Sequence, residues 1–481
     1  MISEGRLPIM GDEWLKAASV VPSKRQLDWQ KTEFYAFCHF GMNTFTDREW
    51  GDGTDSPELF NPTDFDASQW VQAVKNGGMK GLVLTCKHHD GFCLWQSEYT
   101  DYSVKNSPFK NGKGDIVKEV SDACKEAGLK FGIYVSPWDR HEKTYGTGAP
   151  YNTYFKNQLE ELLTNYGELF CVWLDGACGE GENGKKQEYD WQGYYSLIRR
   201  LQPNAVISIC GPDVRWCGNE AGICRKSEWS VVPSEFCSNL YTAEHSQKSD
   251  TVLPSGKEMV LDLGSRKAIK GKDDFIWYPA EVDVSIRPGW FYHESEDYKL
   301  KGLKKLEEIY LNSVGANANL ILNIPPDKTG QINKIDSLEL DSFRRRLEKL
   351  FYYCQSGNAH AFATSENDSS DAVKNIFDSA DNYWQCDSDD EMPEIVIDLG
   401  EQKVFDKVVL AENIATGQQI EKFTLFFDKG GKWKRLFKGT VIGYKRICLF
   451  KAVKSSKIKI QINSFRGKAT LSSVGVYMSK D

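Results

Sequence analysis

The chain has 481 residues, too many for one ordinary domain and enough for two or three. Hydrophobic residues make up 40% and charged residues 27%, the balance of a soluble globular protein. A net charge of −8, a pI near 5.6 and no Lys/Arg cluster interleaved with aromatics argue against nucleic acid as a partner.

No Gly-rich phosphate loop and no strand–GxGxxG–helix unit is present, which argues against phosphate-rich ligands. No run of about 18 apolar residues is present to span a membrane. The first residues, MISEGRLPIMGDEW, hold no apolar signal core. The 13 cysteines are scattered, and none forms a CxxC pair, so neither a zinc cluster nor a disulfide framework is expected. The 14 Trp, 21 Tyr and 25 Phe are the outlier. An aromatic face with a polar edge suits a sugar ring, and it equally suits a large core.

Strand and helix patterns alternate from about residue 30 to 350. FYAFCHFG (34–41) reads as a strand, ASQWVQAVKNGG (67–78) as a helix with a Gly stop, and GLVLTCKHHDG (81–91) as a buried strand. DIVKEVSDACKEAG (115–128) is an amphipathic helix, KFGIYVSPWD (130–139) a strand, and YNTYFKNQLEELLTNYG (151–167) a helix. LFCVWLDGA (169–177), helix 191–203 and strand 204–212 continue the rhythm. Strands are then expected at 227–232, 275–286 and 319–326, with helices at 297–318 and 332–351.

About eight apolar strands covered by helices imply a parallel (β/α)8 barrel, with an open doubly wound sheet as the rival. From about 353 the pattern changes to short β-type runs: 394–400, 407–412, 422–427, 446–450, 457–462 and 473–478. These imply a β-sandwich. The expected domains are therefore an α/β barrel over 1–352 and a β-sandwich over 353–481.

Functional groups of a parallel barrel gather at the C-terminal ends of its strands. Here the first strand ends in His39, and its loop carries Glu49 and Trp50. The second ends in Lys87, His88, His89 and Asp90; the third in Trp138, Asp139 and Arg140; the fourth in Trp173 and Asp175. Arg215, Trp216, Asn219 and Glu220 follow the fifth, and the segment 277–293 adds Trp277, Glu281, Asp283, Arg287 and Trp290.

Each residue alone has an ordinary structural explanation, such as a helix cap or a core histidine. Together they fit three chemistries. One is metal-assisted hydrolysis with His39, His88, His89, Asp90 and Asp175 as ligands, although no HExxH-type spacing supports it. The second is glycoside hydrolysis by two carboxylates, and the third is sugar binding without chemistry.

The ordered set FCHFGMNTFTDREW, KHHDGFCLW, YVSPWDRH, VWLDGA, RWCGNEAG and WYPAEVDVSIRPGWFYH resembles glycoside hydrolase family 29, the α-L-fucosidases, over roughly residues 20–350. WLDG and GNEAG resemble the subfamily that prefers α-1,3/1,4-linked fucose. AFATSEN, YWQCD, EIVIDLG and GTVIGYKRI resemble a discoidin-type (F5/8 type C, CBM32-like) domain.

The resemblance implies a retaining double displacement with no cofactor and no metal. It sets Asp175 as nucleophile and Glu220, 45 residues later (220 − 175), as acid/base, with Glu228 and Glu281 as rivals. His39, His88, His89, Glu49 and Trp50 would grip the fucose hydroxyls, and Trp173 and Trp290 would wall its methyl group. Trp138, Asp139, Glu281, Asp283 and Arg287 would shape the site of the sugar that bears the fucose. The partner implied is a fucosylated oligosaccharide. With a leader already removed, such a chain is expected in the periplasm or secreted, with a cytoplasmic location left open. For the C-terminal domain, bracing the barrel and binding carbohydrate stand as equal expectations.

Overall fold

Parallel pairing sets the architecture of the first two-thirds of the chain. The computed structural model describes residues 12–237, 262–368, 370, 372–378 and 382–480; of the N-terminal stretch inspected for a signal core, all but the last three residues lie outside them. The strands in chain order are β1 (Phe34–Cys38), β2 (Gly81–Lys87), β3 (Lys130–Val135), β4 (Cys171–Leu174), β5 (Val206–Ile209), β6 (Arg215–Trp216), β7 (Val231–Pro233), β8 (Phe275–Trp277), β9 (Ala280–Ser285) and β10 (Ala318–Asn323).

Eight of these form one sheet in the order β5-β4-β3-β2-β1-β10-β9-β6, with every pairing parallel. Ser208 of β5 bridges to Val214 beside β6, and the Ile209 N–H donates to the Val214 carbonyl at 3.1 Å. The first and last strands therefore meet, and the sheet is a nearly closed barrel rather than an open doubly wound sheet.

Local sequence explains the helices that cover it. Asp115 caps the helix Ile116–Ala127 by accepting the Lys118 N–H, and Gly128 ends it at φ +70, where a side chain would be strained. Comparable helices Ala67–Asn76, Ala149–Asn165, Trp191–Leu201, Gly302–Ser313 and Lys334–Leu350 follow their strands.

The rhythm breaks after β5. Residues 210–214 lead straight into β6 with no helix between. The strand expected at 227–232 is not the sixth strand of the barrel. Val231–Pro233 instead pairs antiparallel with Phe275–Trp277 outside the barrel, and the two-residue β6 takes the sixth position. Two residues are too short a run to show periodicity in the sequence.

The C-terminal domain is an antiparallel β-sandwich. Its main sheet runs Tyr353–Cys354, Ser473–Met478, Glu394–Ala411, Arg446–Phe465, Ile420–Asp428, Trp433–Gly439, with His360–Ala363 added on Glu394–Ala411. The expected strands 394–400 and 407–412 are one long strand, as are 446–450 and 457–462. A register shift between Asp398 and Lys403, with Gly400 at φ +79, absorbs the residues that read as a turn.

This domain docks where the barrel lacks helices. Val441 packs with Trp229, Val232, Leu263 and Tyr278, and Ile414 packs with Val231, Phe275 and Trp277.

Candidate active site

Strand alternation decides which side chains enter the barrel. On β1 Tyr35 and Phe37 pack inside, with Tyr134 of β3, Cys171 and Trp173 of β4, and Ile321 of β10, while Phe34, Ala36 and Cys38 face the helices. The inward series of β1 continues to His39 and that of β4 to Asp175. On β9 the same parity carries Glu281, Asp283 and Ser285, and on β10 Asn323. β2 changes face through a register shift between Thr85 and Lys87. Lys87 is thereby turned outward, 2.8 Å from Asp139 and 2.9 Å from Gln158, and the next residues, His88 and His89, reach the mouth.

The three histidines form a contiguous cluster. His88 lies 4.1 Å from His89 and 5.8 Å from His39 between ring centroids, and Trp290 lies 5.0 Å from His39. Each Nδ1 is already engaged: His39 with Asn323 Oδ1 at 2.9 Å, His88 with Asn43 Nδ2 at 3.2 Å, His89 with Ser136 Oγ at 2.7 Å. Burial pushes His39 down to about 3 and His88 well below the ordinary value, and it lowers His89 as well. The cluster is therefore neutral at ordinary pH and can both donate to and accept from hydroxyls. Trp138 packs on His89 at 4.9 Å, and the exposed Trp50 stands against both at the rim.

Asp175 closes the floor. The Tyr134 hydroxyl donates to its Oδ2 at 2.7 Å, the Ala177 N–H donates to Oδ1 at 2.7 Å, and His89 Nε2 lies 3.8 Å away. Burial and the Asp175 charge push Tyr134 well up, so its hydroxyl stays a donor. Asp175 keeps a fifth of its side chain exposed, which leaves it reachable. Across the mouth, Glu220 on the loop after β6 accepts the Trp290 indole N–H at 3.0 Å. Trp173 and Trp290 both border Phe37, at 5.2 and 6.2 Å.

Other expected residues support this group from behind. Glu281 is fully buried and accepts from Trp173 Nε1 at 2.6 Å and from the Tyr35 hydroxyl, and burial raises it to about 7. Asp283 accepts from Trp216 Nε1 at 2.8 Å, and burial, then the charge of Glu220, hold it well above the carboxylate range. Glu49 takes the N–H groups of Trp290 and Phe291 and His293 Nε2, and so ties the first loop to the loop after β9. Asp139 pairs with Lys87 and caps the N–H groups of His141 and Glu142.

Arg287 is not brought to the cluster. Its guanidinium is buried against Asp336 in two 2.8 Å bonds and lies 3.0 Å from Asp297. Glu228 also stands apart, paired with Arg215 at 2.6 Å and accepting the Arg225 N–H at 3.0 Å. These contacts offset its burial and hold it below its ordinary value, which disqualifies it as a proton donor. No group of three His, Cys, Asp or Glu among the described residues is arranged to hold a metal ion.

Sequence reasoning passed over Tyr134, Asn43, Ser136 and Asn323, which orient the charged and imidazole groups. Strand parity puts Tyr134, Ser136 and Asn323 in the inward series of their strands but does not tell which groups they reach. Asn43, in a short helix after β1, gave no such signal.

Comparisons with known proteins identify the family. The α-L-fucosidase family model matches residues 7–349, and the F5/8 type C domain model matches residues 360–475. α-L-Fucosidase 1 of Arabidopsis thaliana is 42% identical over 468 residues, covering 96% of this chain and 88% of its own. The plasma α-L-fucosidase of Homo sapiens is 26% identical over 64% of this chain and 58% of its own. A fucosidase of Ruminococcus gnavus, solved in complex with fucose, superposes with a TM-score of 0.84 at 32% identity, covering 99% of this chain and 97% of that one. The chain, with a parallel barrel that gathers histidines and carboxylates at one mouth and a discoidin-type domain behind it, belongs to the α-L-fucosidase family.

Proposed function

We propose that this α-L-fucosidase is a retaining, exo-acting enzyme that removes terminal α-1,3/1,4-linked L-fucose, with Asp175 as nucleophile and Glu220 as acid/base. The observation that carries the reading is the placement of Asp175: at a strand end, partly open, and held by Tyr134 and the Ala177 N–H beside His89. Two hydrogen bonds leave each carboxylate oxygen further acceptor capacity while fixing its orientation.

In the first step a carboxylate oxygen of Asp175 bonds to the anomeric carbon. The glycosidic C–O bond breaks, and Glu220 gives its proton to the departing oxygen. In the second, Glu220 takes a proton from water, whose oxygen bonds to the same carbon and releases Asp175. The neutral histidines bind the fucose hydroxyls, and Trp173 and Trp290 face its methyl group. Trp50 and Trp138 at the rim meet the sugar that bears it. Glu49, Asp139 and Glu281 hold these groups in place from outside the pocket. Residues 1–352 and 353–481 are the corresponding domains, and a fucosylated glycan outside the cell is the natural substrate, consistent with a periplasmic or secreted enzyme.

The test is to incubate the protein with a trisaccharide bearing fucose α-1,3 or α-1,4 beside galactose and follow it by proton NMR. α-Fucose appearing before its β anomer supports retention, whereas β-fucose first overturns the two-carboxylate assignment. Asp175→Asn is expected to lower kcat by about a thousandfold or more, a barrier increase of about 4 kcal/mol. Full activity in that variant removes Asp175 from the mechanism.

A further inference from the structure

We infer that the C-terminal domain is part of the catalytic apparatus, because it positions the loop that carries Glu220; the inference rests on the acid/base reading of that residue. The loop leaves β6 at Trp216 and is folded into a clip. Its first turn is fixed by the Cys217 N–H on the Glu281 carbonyl at 2.9 Å and by Arg225 Nη1 on the Cys217 carbonyl at 3.1 Å. Asn219 Nδ2 crosses it to the Ile223 carbonyl at 2.7 Å. The clip closes at Glu228, where Arg215 and the Arg225 backbone meet one buried carboxylate.

The far side of this clip is held by the other domain. Arg446 Nη1 donates to the Lys226 carbonyl at 3.2 Å, and the Thr440 hydroxyl donates to the same oxygen at 3.3 Å. Gln418, itself fully buried, donates to the Glu228 carbonyl at 3.4 Å and accepts the Ser230 N–H at 2.7 Å. Asn317 Nδ2 also donates to the Glu228 carbonyl, at 2.8 Å, while its Oδ1 accepts the Tyr444 N–H at 2.8 Å.

Three backbone positions six to ten residues beyond Glu220 (Lys226, Glu228 and Ser230) are thus tied to residues 418–446, while the turn between, Gly222 to Cys224, rests on Ile309 and Asn312 of the barrel helix Gly302–Ser313. The loop is therefore held from two sides, by that helix next to Glu220 and by the sandwich at its return to the barrel. An acid/base group displaced by about 1 Å loses on the order of a hundredfold in rate. Gln418, Thr440 and Arg446 are therefore positioning residues, remote from the sugar.

The distinguishing readout is the leaving group. Departure of a sugar hydroxyl needs a proton, and departure of fluoride from α-L-fucosyl fluoride does not. Arg446→Ala and Gln418→Ala, made in the full chain, are expected to lower kcat/KM on the fucosylated trisaccharide about tenfold to a hundredfold. They should leave kcat/KM on the fluoride within about threefold. Arg446→Lys, which can still donate to the Lys226 carbonyl, should recover most of the loss.

Glu220→Ala serves as the control. It must show the same selective loss, and if it does not, the acid/base reading itself fails. If Glu220→Ala is selective but the interface variants lose both activities equally, or neither, the inference is overturned. Thr440→Val, which removes one hydroxyl, is the mild variant should the others fold poorly; equal loss on both substrates there is equally fatal.

Discussion

Three imidazoles whose Nδ1 atoms are already bonded can offer a ligand only Nε2, and their partners set what each Nε2 does. Asn323 Oδ1 also accepts the His39 backbone N–H, and its Nδ2 donates to Ser285 Oγ and the Trp290 carbonyl. Its oxygen is therefore the acceptor, His39 carries its proton on Nδ1, and His39 Nε2 accepts. Asn43 Nδ2 donates to the Glu49 carbonyl at 3.1 Å, so the His88 Nδ1 beside it accepts and His88 Nε2 donates. The two rings thus present opposite polarity to neighbouring hydroxyls, which each donate and accept.

Beneath them, Glu281 links Tyr35 and Trp173 inside the barrel. Its folded value near 7 stands above the ordinary 4.5, so the folded protein holds a proton that the unfolded chain has released between those values. Its contribution to stability is full below pH 4.5 and is lost as pH rises through 7. Glu281→Gln removes this titration. The variant's Tm should improve relative to the parent as pH rises from 4.5 to 7, while Asp90, Glu412 and the histidines cancel in the comparison. A constant Tm difference across that range would show that Glu281 does not titrate there.

At the scale of elements, strand parity and one bulge account for most of what was legible. Apolar runs mark β1 to β5, β9 and β10, and the polar residue at each strand end is visible because it breaks an apolar run. His39 and Asp175 were legible for that reason. Tyr134 was not, since a tyrosine inside KFGIYV looks like core, and only the closed barrel shows that its hydroxyl reaches Asp175. Arg287 was misleading in the opposite way. It stands in a segment crowded with site residues and is next in the inward count of β9, but the strand ends at Ser285 and Arg287 turns away from the barrel interior to Asp336. The helix Lys334–Leu350 brings Asp336, in its first turn, against that guanidinium, a contact of 49 residues' separation that no local pattern announces.

Removing Asp336 takes the bidentate partner from a fully buried guanidinium, and Asp297 at 3.0 Å compensates only part of that charge. Asp336→Ala should therefore cost about 3 kcal/mol of stability in denaturant unfolding, with KM for the trisaccharide unchanged within about twofold. A raised KM with unchanged stability would return Arg287 to the sugar site.

At the scale of the whole molecule, the two domains share more than a hinge. Glu33, at the start of the barrel, takes the Lys445 ammonium at 2.6 Å and the Tyr444 hydroxyl at 2.9 Å; Gln419 donates to the Ala18 carbonyl at 2.8 Å. Arg466 is buried over the Trp229 ring at 3.9 Å, pairs with Glu421 and donates to the Gly264 carbonyl. The Ile447 N–H meets the Gly315 carbonyl at 2.9 Å.

Separating the domains would expose Val231, Trp277, Trp229 and Tyr278 and take Arg466 off the Trp229 ring and the Gly264 carbonyl. Both losses, of apolar burial and of the cation–π contact, fall on the barrel sector around β7 and β8 that the sandwich covers. The barrel and the sandwich should therefore unfold together. Calorimetry on the full chain is expected to give one transition whose calorimetric and van't Hoff enthalpies agree. Arg466→Ala should lower its Tm and, as the coupling weakens, broaden it or split off a second transition. Two resolved transitions in the unaltered protein would mean that the interface is too weak to couple the domains, and would leave the sandwich as an appended module rather than the missing wall of the barrel.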